Sequence, residues 1–98
     1  MIYLSGKITD ETRDRETQNM QRFFELEQQF IKDGVAVFNP AVLEEPGWTW
    51  EQYLARDLFF IYQSLPTMYM MKGWEDSRGA RLEYETAKLL GLEIEYEG

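Results

Sequence analysis

The 98 residues predict an α/β fold: three layers around a mainly parallel four-stranded sheet, Rossmann- or flavodoxin-like. Three observations lead there. Short apolar runs alternate with segments of helical periodicity in the order β-α-β-α-β-α-β, which implies parallel strands joined by right-handed crossovers. Gly34, Pro66 and Gly91 stand where three helices should stop. A hydrophobic fraction of 44%, with 15% aromatic residues, suffices for a packed core. At this length a single domain over residues 1–98 is expected, with no repeat, linker or low-complexity segment.

Each element has its own signal. Ile2, Tyr3 and Leu4 form a short β-rich run that ends at the turn Ser5-Gly6. Residues 7–17 are polar with mixed charge. From Met20 the apolar residues Met20, Phe23, Phe24, Phe30 and Ile31 fall at helical spacing, and Gly34 follows as a C-terminal cap. The continuous apolar run of residues 35–38, stopped by Asn39-Pro40, suits a strand covered on both faces. Residues 41–47 read as a loop. Thr49 with Gln52 fits a capping box, and Trp50, Tyr53, Leu54, Leu58 and Ile61 form the stripe of a second helix that Pro66 closes. Residues 67–71 read as a third strand, 72–79 as a second loop, 80–90 as a third helix and 92–96 as a last strand.

Composition narrows the chemistry. The chain has neither cysteine nor histidine, so disulfides, thiolates and the commonest zinc ligand and general base are excluded. Acid–base or nucleophilic work falls to Asp, Glu, Tyr, Lys or Ser, and no metal or cofactor is expected. A formal net charge of -8 opposes binding to a nucleic acid polymer, which needs many cationic phosphate contacts. No stretch approaches the ~18 consecutive apolar residues of a membrane span, and the first six residues lack the basic start of a signal peptide. A cytoplasmic location is the expectation.

Ligands of open parallel sheets bind beyond the carboxyl ends of the strands. Those ends carry Ser5-Gly6-Lys7, Asn39-Pro40 and the loop of residues 73–79, so the three segments should converge on one site. Two carboxylates interrupt apolar stripes nearby. Asp57 lies among Trp50, Tyr53, Leu54, Leu58 and Ile61, and Glu83 shares a face with Ala80, Tyr84 and Ala87. An acid on a core-facing stripe costs free energy unless it is paired or opens on a cleft. Ion pairing with Arg56, Arg78 or Arg81, or a solvent-open stripe edge, is the competing explanation for either residue alone. Ser77-Arg78-Gly79-Ala80 is a glycine-containing entrance to a helix and offers backbone N–H groups to an anion. Lys7 and Arg78 add local positive charge.

These residues resemble a known family. Ile2-Tyr3-Leu4-Ser5-Gly6-Lys7-Ile8 is similar to the opening strand and loop of the nucleoside 2-deoxyribosyltransferase-like superfamily, which includes deoxynucleotide N-glycosidases. Asp57-Leu58 resembles its aspartate segment, and Ser77-Arg78-Gly79-Ala80-Arg81-Leu82-Glu83 its Ser-x-Gly-x-x-x-Glu segment. Closer still is a group of short bacterial and phage proteins on this fold that share Tyr-Leu-Ser-Gly, Asn-Pro and the run from Gly73 to Glu83. The resemblance implies cleavage or transfer at the N-glycosidic bond of a nucleoside or nucleoside 5′-monophosphate. By it, Glu83 is the nucleophile, Asp57 orients or protonates the departing base, and the Tyr3 hydroxyl positions the nucleophile. Ser5, Gly6, Ser77 and Gly79 hold the 5′ group. Lys7, Asn39 and Arg78 complete the binding set. Trp48 or Trp50 stacks on the base or belongs to the core.

Two other classes compete with an enzyme: a nucleotide-binding protein that sequesters or senses its ligand on the same scaffold, and an interaction domain whose acids are only ion pairs. A small domain is marginal alone. The segment holding Trp50, Tyr53, Phe59, Phe60 and Tyr62 has apolar groups on more than one helical face. A homodimer or higher homo-oligomer is therefore expected.

Overall fold

The structure is a computed structural model, and it describes residues 1–42 and 45–98. Four strands, β1 (Ile2–Ser5), β2 (Val37–Phe38), β3 (Thr67–Met70) and β4 (Ile94–Tyr96), form one sheet in the order β2-β1-β3-β4. Every pairing is parallel, with Ile2 beside both Val37 and Thr67, and Met68 beside Ile94. Helix α1 (Arg13–Lys32) joins β1 to β2, α2 (Trp50–Ser64) joins β2 to β3, and α3 (Arg78–Leu90) joins β3 to β4.

Side chains alternate across a strand, and β1 shows the consequence. Tyr3 meets Met68, Met70, Ile61 of α2 and Ala87 of α3 on one face of the sheet. Ile2 and Leu4 meet Phe23 of α1 on the other, with Phe30 and Leu26 packed alongside. One helix on one face and two on the other make the three layers that the alternating pattern predicts. All four residues of β1 are buried, as a central parallel strand requires.

Several boundaries differ from the sequence reading, among them β3, which ends at Met70 rather than at residue 71, and β4, which begins at Ile94 rather than at residue 92. Helix α1 begins at Arg13, not near Met20. Thr12 caps it by accepting a hydrogen bond from the Arg15 amide, and Asp14 and Glu16 sit in the first turn, where the helix dipole favours acids. Within α1, Phe23 is buried, whereas Phe24 and Ile31 are about half exposed. They lie one residue, some 100° of helix, away from the inward residues Phe23 and Phe30. Strand β2 is only two residues long, half-buried and at the sheet edge, so the run from Val35 is not a strand covered on both faces. Gly34, at φ 76°, turns the chain while the Val35 amide still bonds to the Phe30 carbonyl. Helix α3 starts at Arg78, two residues early, because Ser77 caps it through the Ala80 amide.

The loop read over residues 72–79 contains a 3-10 helix, Trp74–Asp76, whereas the start of α2 matches its signal. Thr49 and Gln52 form both halves of the capping box at the start of α2. The loop of residues 41–47 opens with a short 3-10 helix, Pro40–Val42, and its residues 43 and 44 lie outside the described residues. Among the described residues, no helix is long and apolar enough to cross a membrane.

Candidate functional site

The sheet order creates the site. From β1 the chain moves outward to β2 and then returns past β1 to β3, so the connections leaving β1 and β3 diverge. A crevice opens between them at the carboxyl ends of the strands. A cavity of about 530 Å³ lies there, within the ~300–1,000 Å³ of small-molecule sites. Its floor is Leu4, Gly6, Ala80 and Glu83; α1 contributes Arg13, Glu16, Thr17 and Met20; α2 contributes Trp50, Tyr53, Leu54, Arg56 and Asp57. The loop after β3 brings Asp76, Ser77, Arg78 and Gly79, and Pro40 and Ala41 arrive from the end of β2. The three strand ends expected to converge therefore do.

Glu83 reaches this floor because of its place on α3. Ala80 and Ala87 are fully buried on the same face, and these small residues let the helix approach the sheet. The Glu83 side chain is thereby pressed onto β1 and is only 6% exposed. Both carboxyl oxygens are held. The Tyr3 hydroxyl donates to Oε2 at 2.5 Å and the Ser5 hydroxyl donates to Oε1 at 2.7 Å. Tyr3 and Ser5 stand two residues apart on β1, so they point to the same side of the sheet. Tyr3 is locked by packing, stacked on Phe38 at 5.5 Å and tilted against Phe60 at 6.2 Å.

Burial pushes the Glu83 carboxyl up to about 7. The hydrogen bonds from Tyr3 and Ser5 oppose that rise, and the negative charge of Asp57 adds to it. The Tyr3 phenol is driven well above its ordinary value by burial first and then by the charges of Glu83 and Asp57, so it stays a donor. Asp57 is also raised by burial, while the Arg56 guanidinium and the Tyr3 hydroxyl pull against it. The two carboxyl groups, one from each of the last two helices, thus face a common cavity, and Glu83 senses the charge of Asp57.

Asp57 has the arginine partner that the competing explanation named. Arg56 Nε donates to Asp57 Oδ1 at 3.1 Å, and its terminal nitrogen lies 3.0 Å from the same oxygen. Glu83 is held by hydroxyls instead, and Arg81 spends its guanidinium on the Glu75 carbonyl.

The remaining expected residues separate into lining and supporting ones. Ser77, Arg78, Gly79 and Gly6 line the cavity. The Arg78 guanidinium lies 4.8 Å from the centre of the Trp50 ring. A Cβ on Gly79 would stand 3.7 Å from that ring, at ordinary van der Waals contact. A Cβ on Gly6 would come within 3.0 Å of Met71. Ser5 is buried behind Glu83. Lys7 and Asn39 are not among the described lining residues. Lys7 lies 3.7 Å from Asp10, and Asn39 is buried under its own turn, accepting from the Ala41 amide. Trp48 lies outside the lining, 39% exposed and edge-on to Tyr53. Among the described residues, no three acidic side chains gather as metal ligands.

Sequence reasoning passed over the wall supplied by α1. Arg13, Glu16 and Thr17 fell in a segment read only as polar with mixed charge, although Thr12 with acids just after it is a helix-start signal. Starting α1 there would have set its first turns above the end of β1. Arg56 entered only as a possible ion-pair partner, because residues one apart on a helix do not ordinarily face each other.

No curated protein and no solved structure matches the chain. The family described as Domain of unknown function (DUF4406) matches residues 1–96, nearly the whole chain, and the protein belongs to that family.

Proposed function

We propose that the protein cleaves or transfers at the N-glycosidic bond of a nucleoside or nucleoside 5′-monophosphate, with Glu83 as the nucleophile. The observation that carries this reading is the pair of carboxyl groups, Glu83 on α3 and Asp57 on α2, presented to one cavity. Two carboxyl groups flanking a glycosidic bond are the working parts of retaining glycoside chemistry. An ionised Glu83 oxygen attacks C1′ as the C1′–N bond breaks; the electron pair leaves with the base, which takes up the proton that Glu83 gave up. Water then attacks the glycosyl ester, its hydroxyl joining the sugar and its proton returning to Glu83. In transfer, a second base replaces the water and gives up its own proton.

Other features suit the same substrate. The N-terminus of the 13-residue α3 offers amide N–H groups beside Ser77, and Arg78 and Arg13 add positive charge for a 5′ group or phosphate. Trp50, Leu54 and Met20 supply apolar walls for a base. Cytoplasmic residence and association with a second copy belong to the same proposal. The second is supported by Phe59 and Tyr62 on the outer side of α2, 61% and 64% exposed.

Incubation with deoxynucleosides and their 5′-monophosphates, followed by chromatography, should reveal free base. The release should fall by at least ~100-fold in Glu83→Ala. One observation favours a second reading, a nucleotide-binding protein without turnover: both Glu83 oxygens are already engaged by hydroxyls. No released base, together with a ligand-induced rise in melting temperature, would favour that reading. Neither response would contradict both.

A further inference from the structure

Arg56 is held in place from several directions. It folds back along α2 to meet its sequence neighbour Asp57, a pairing that helix geometry alone does not provide. Its terminal nitrogen also donates to the Pro40 carbonyl at 3.3 Å, tying α2 to the turn that follows β2. Its guanidinium carbon lies 5.3 Å from the centre of the Tyr53 ring and 5.9 Å from that of Trp48. The side chain is only 21% exposed and that of Asp57 13%, so water screens the pair weakly. A surface ion pair has no need of a carbonyl and two aromatic rings to hold its cation. This arrangement fixes one guanidinium against one carboxylate at the wall of the cavity.

Among the described residues, the other groups packed against Asp57 bring no positive charge that would do the same. Tyr3 reaches it from β1 as a neutral phenol, and Glu83 faces it from α3 as a second acid. Farther round the same cavity stand Arg13 and Glu16 of α1, Asp76 of the loop after β3 and Arg78 at the start of α3. Arg78 is placed over Trp50.

We propose that Arg56 is a positioning residue that keeps Asp57 ionised and aimed into the cavity, so that Glu83 carries the proton of the carboxyl pair before substrate binds. The inference rests on the glycosidic reading for its purpose, and it adds the route of the proton. A departing base needs one proton, and Glu83 must lose one to become a nucleophile. An ionised Asp57 is the acceptor that takes the proton from Glu83 and passes it to the base nitrogen, leaving Asp57 ionised again. Two carboxyl groups competing for that proton without a cation would blur this division of labour.

The test requires no substrate. Carboxyl carbons of Asp57 and Glu83 are followed by NMR across pH in the wild type, Arg56→Gln and Arg56→Lys. In the wild type, Asp57 should titrate below Glu83. In Arg56→Gln the Asp57 midpoint should rise by about one unit or more, the size expected when an adjacent opposite charge is removed. Arg56→Lys should restore most of the difference, which a packing role alone would not do. If Arg56→Gln is too unstable to titrate, the wild-type order and the Arg56→Lys midpoints still decide. Asp57 titrating above Glu83 in the wild type, or an Asp57 midpoint unmoved in Arg56→Gln, would overturn the proposal. The failure of the glycosidic reading shows separately, as absence of base release while these titrations hold.

Discussion

Glu83 concentrates the physical tension of the molecule at one side chain. Its carboxyl is buried against β1 with two hydroxyl donors and, among the described residues, no ion-pair partner to hold it ionised. Its folded value lies near 7 against an ordinary 4.5. A group whose folded value is raised binds its proton more tightly in the native state. Its stabilising contribution is complete below the ordinary carboxyl range and disappears as pH climbs through about 7. Glu83→Gln keeps the shape and removes the titration. Urea denaturation across pH should show the wild type losing about 3 kcal/mol relative to Glu83→Gln between pH ~4.5 and ~7.5. Comparison with the variant cancels the carboxylates that do not interact with Glu83. Parallel stability profiles would mean that Glu83 is not held as the structure has it. The position of this residue was readable in the sequence, because an acid between Ala80 and Ala87 is out of place on a buried stripe. Its hydrogen bonds to Tyr3 and Ser5 were not, since they span 80 and 78 residues and arise only when α3 lies across β1.

Among the elements, α2 works on two sides. Inward, Leu58 and Ile61 pack into the core and Asp57 meets the cavity; outward, Phe59 and Tyr62 stand in solvent. Its start was legible from the capping box, which contributes roughly 1 kcal/mol. Its end was legible from Pro66, ahead of which Leu65 turns the chain at φ 47°. The exposed aromatic pair leads to an expectation: sedimentation equilibrium should give a mass at least twice the 11.7 kDa of the chain, and Phe59→Ser with Tyr62→Ser should bring it to one copy. A wild-type mass of one copy would remove the homo-oligomer from the proposal. Helix α1 was less legible than α2. Its first two turns carry no apolar residue to mark a face, so periodicity began only at Met20, and Thr12 alone signalled the true start. Strand β2 was overread for the opposite reason: four apolar residues in a row look like a buried strand, although the last turn of α1 claims the amide of Val35.

For the whole molecule, the order β2-β1-β3-β4 turns scattered motifs into a site. Tyr3, Asp57 and Glu83 come from a central strand and two different helices, and the divergence of the connections after β1 and β3 opens the space that the two carboxyl groups face, with Tyr3 buried behind them. Alternation of strands and helices was enough to anticipate that crevice, because ligands of such sheets gather at the strand ends. The clamp of Arg56 belongs to tertiary packing, whereas the wall from α1 had a local signal in Thr12 and the acids after it. The central claim is a covalent one, so its most direct test is mass spectrometry of protein quenched in acid during reaction with a deoxynucleoside 5′-monophosphate, followed by peptide mapping. The account predicts a sugar-phosphate adduct on the peptide carrying Glu83, absent from Glu83→Gln. Base release from a protein that carries its adduct on another residue, or that is undiminished in Glu83→Gln, would contradict it.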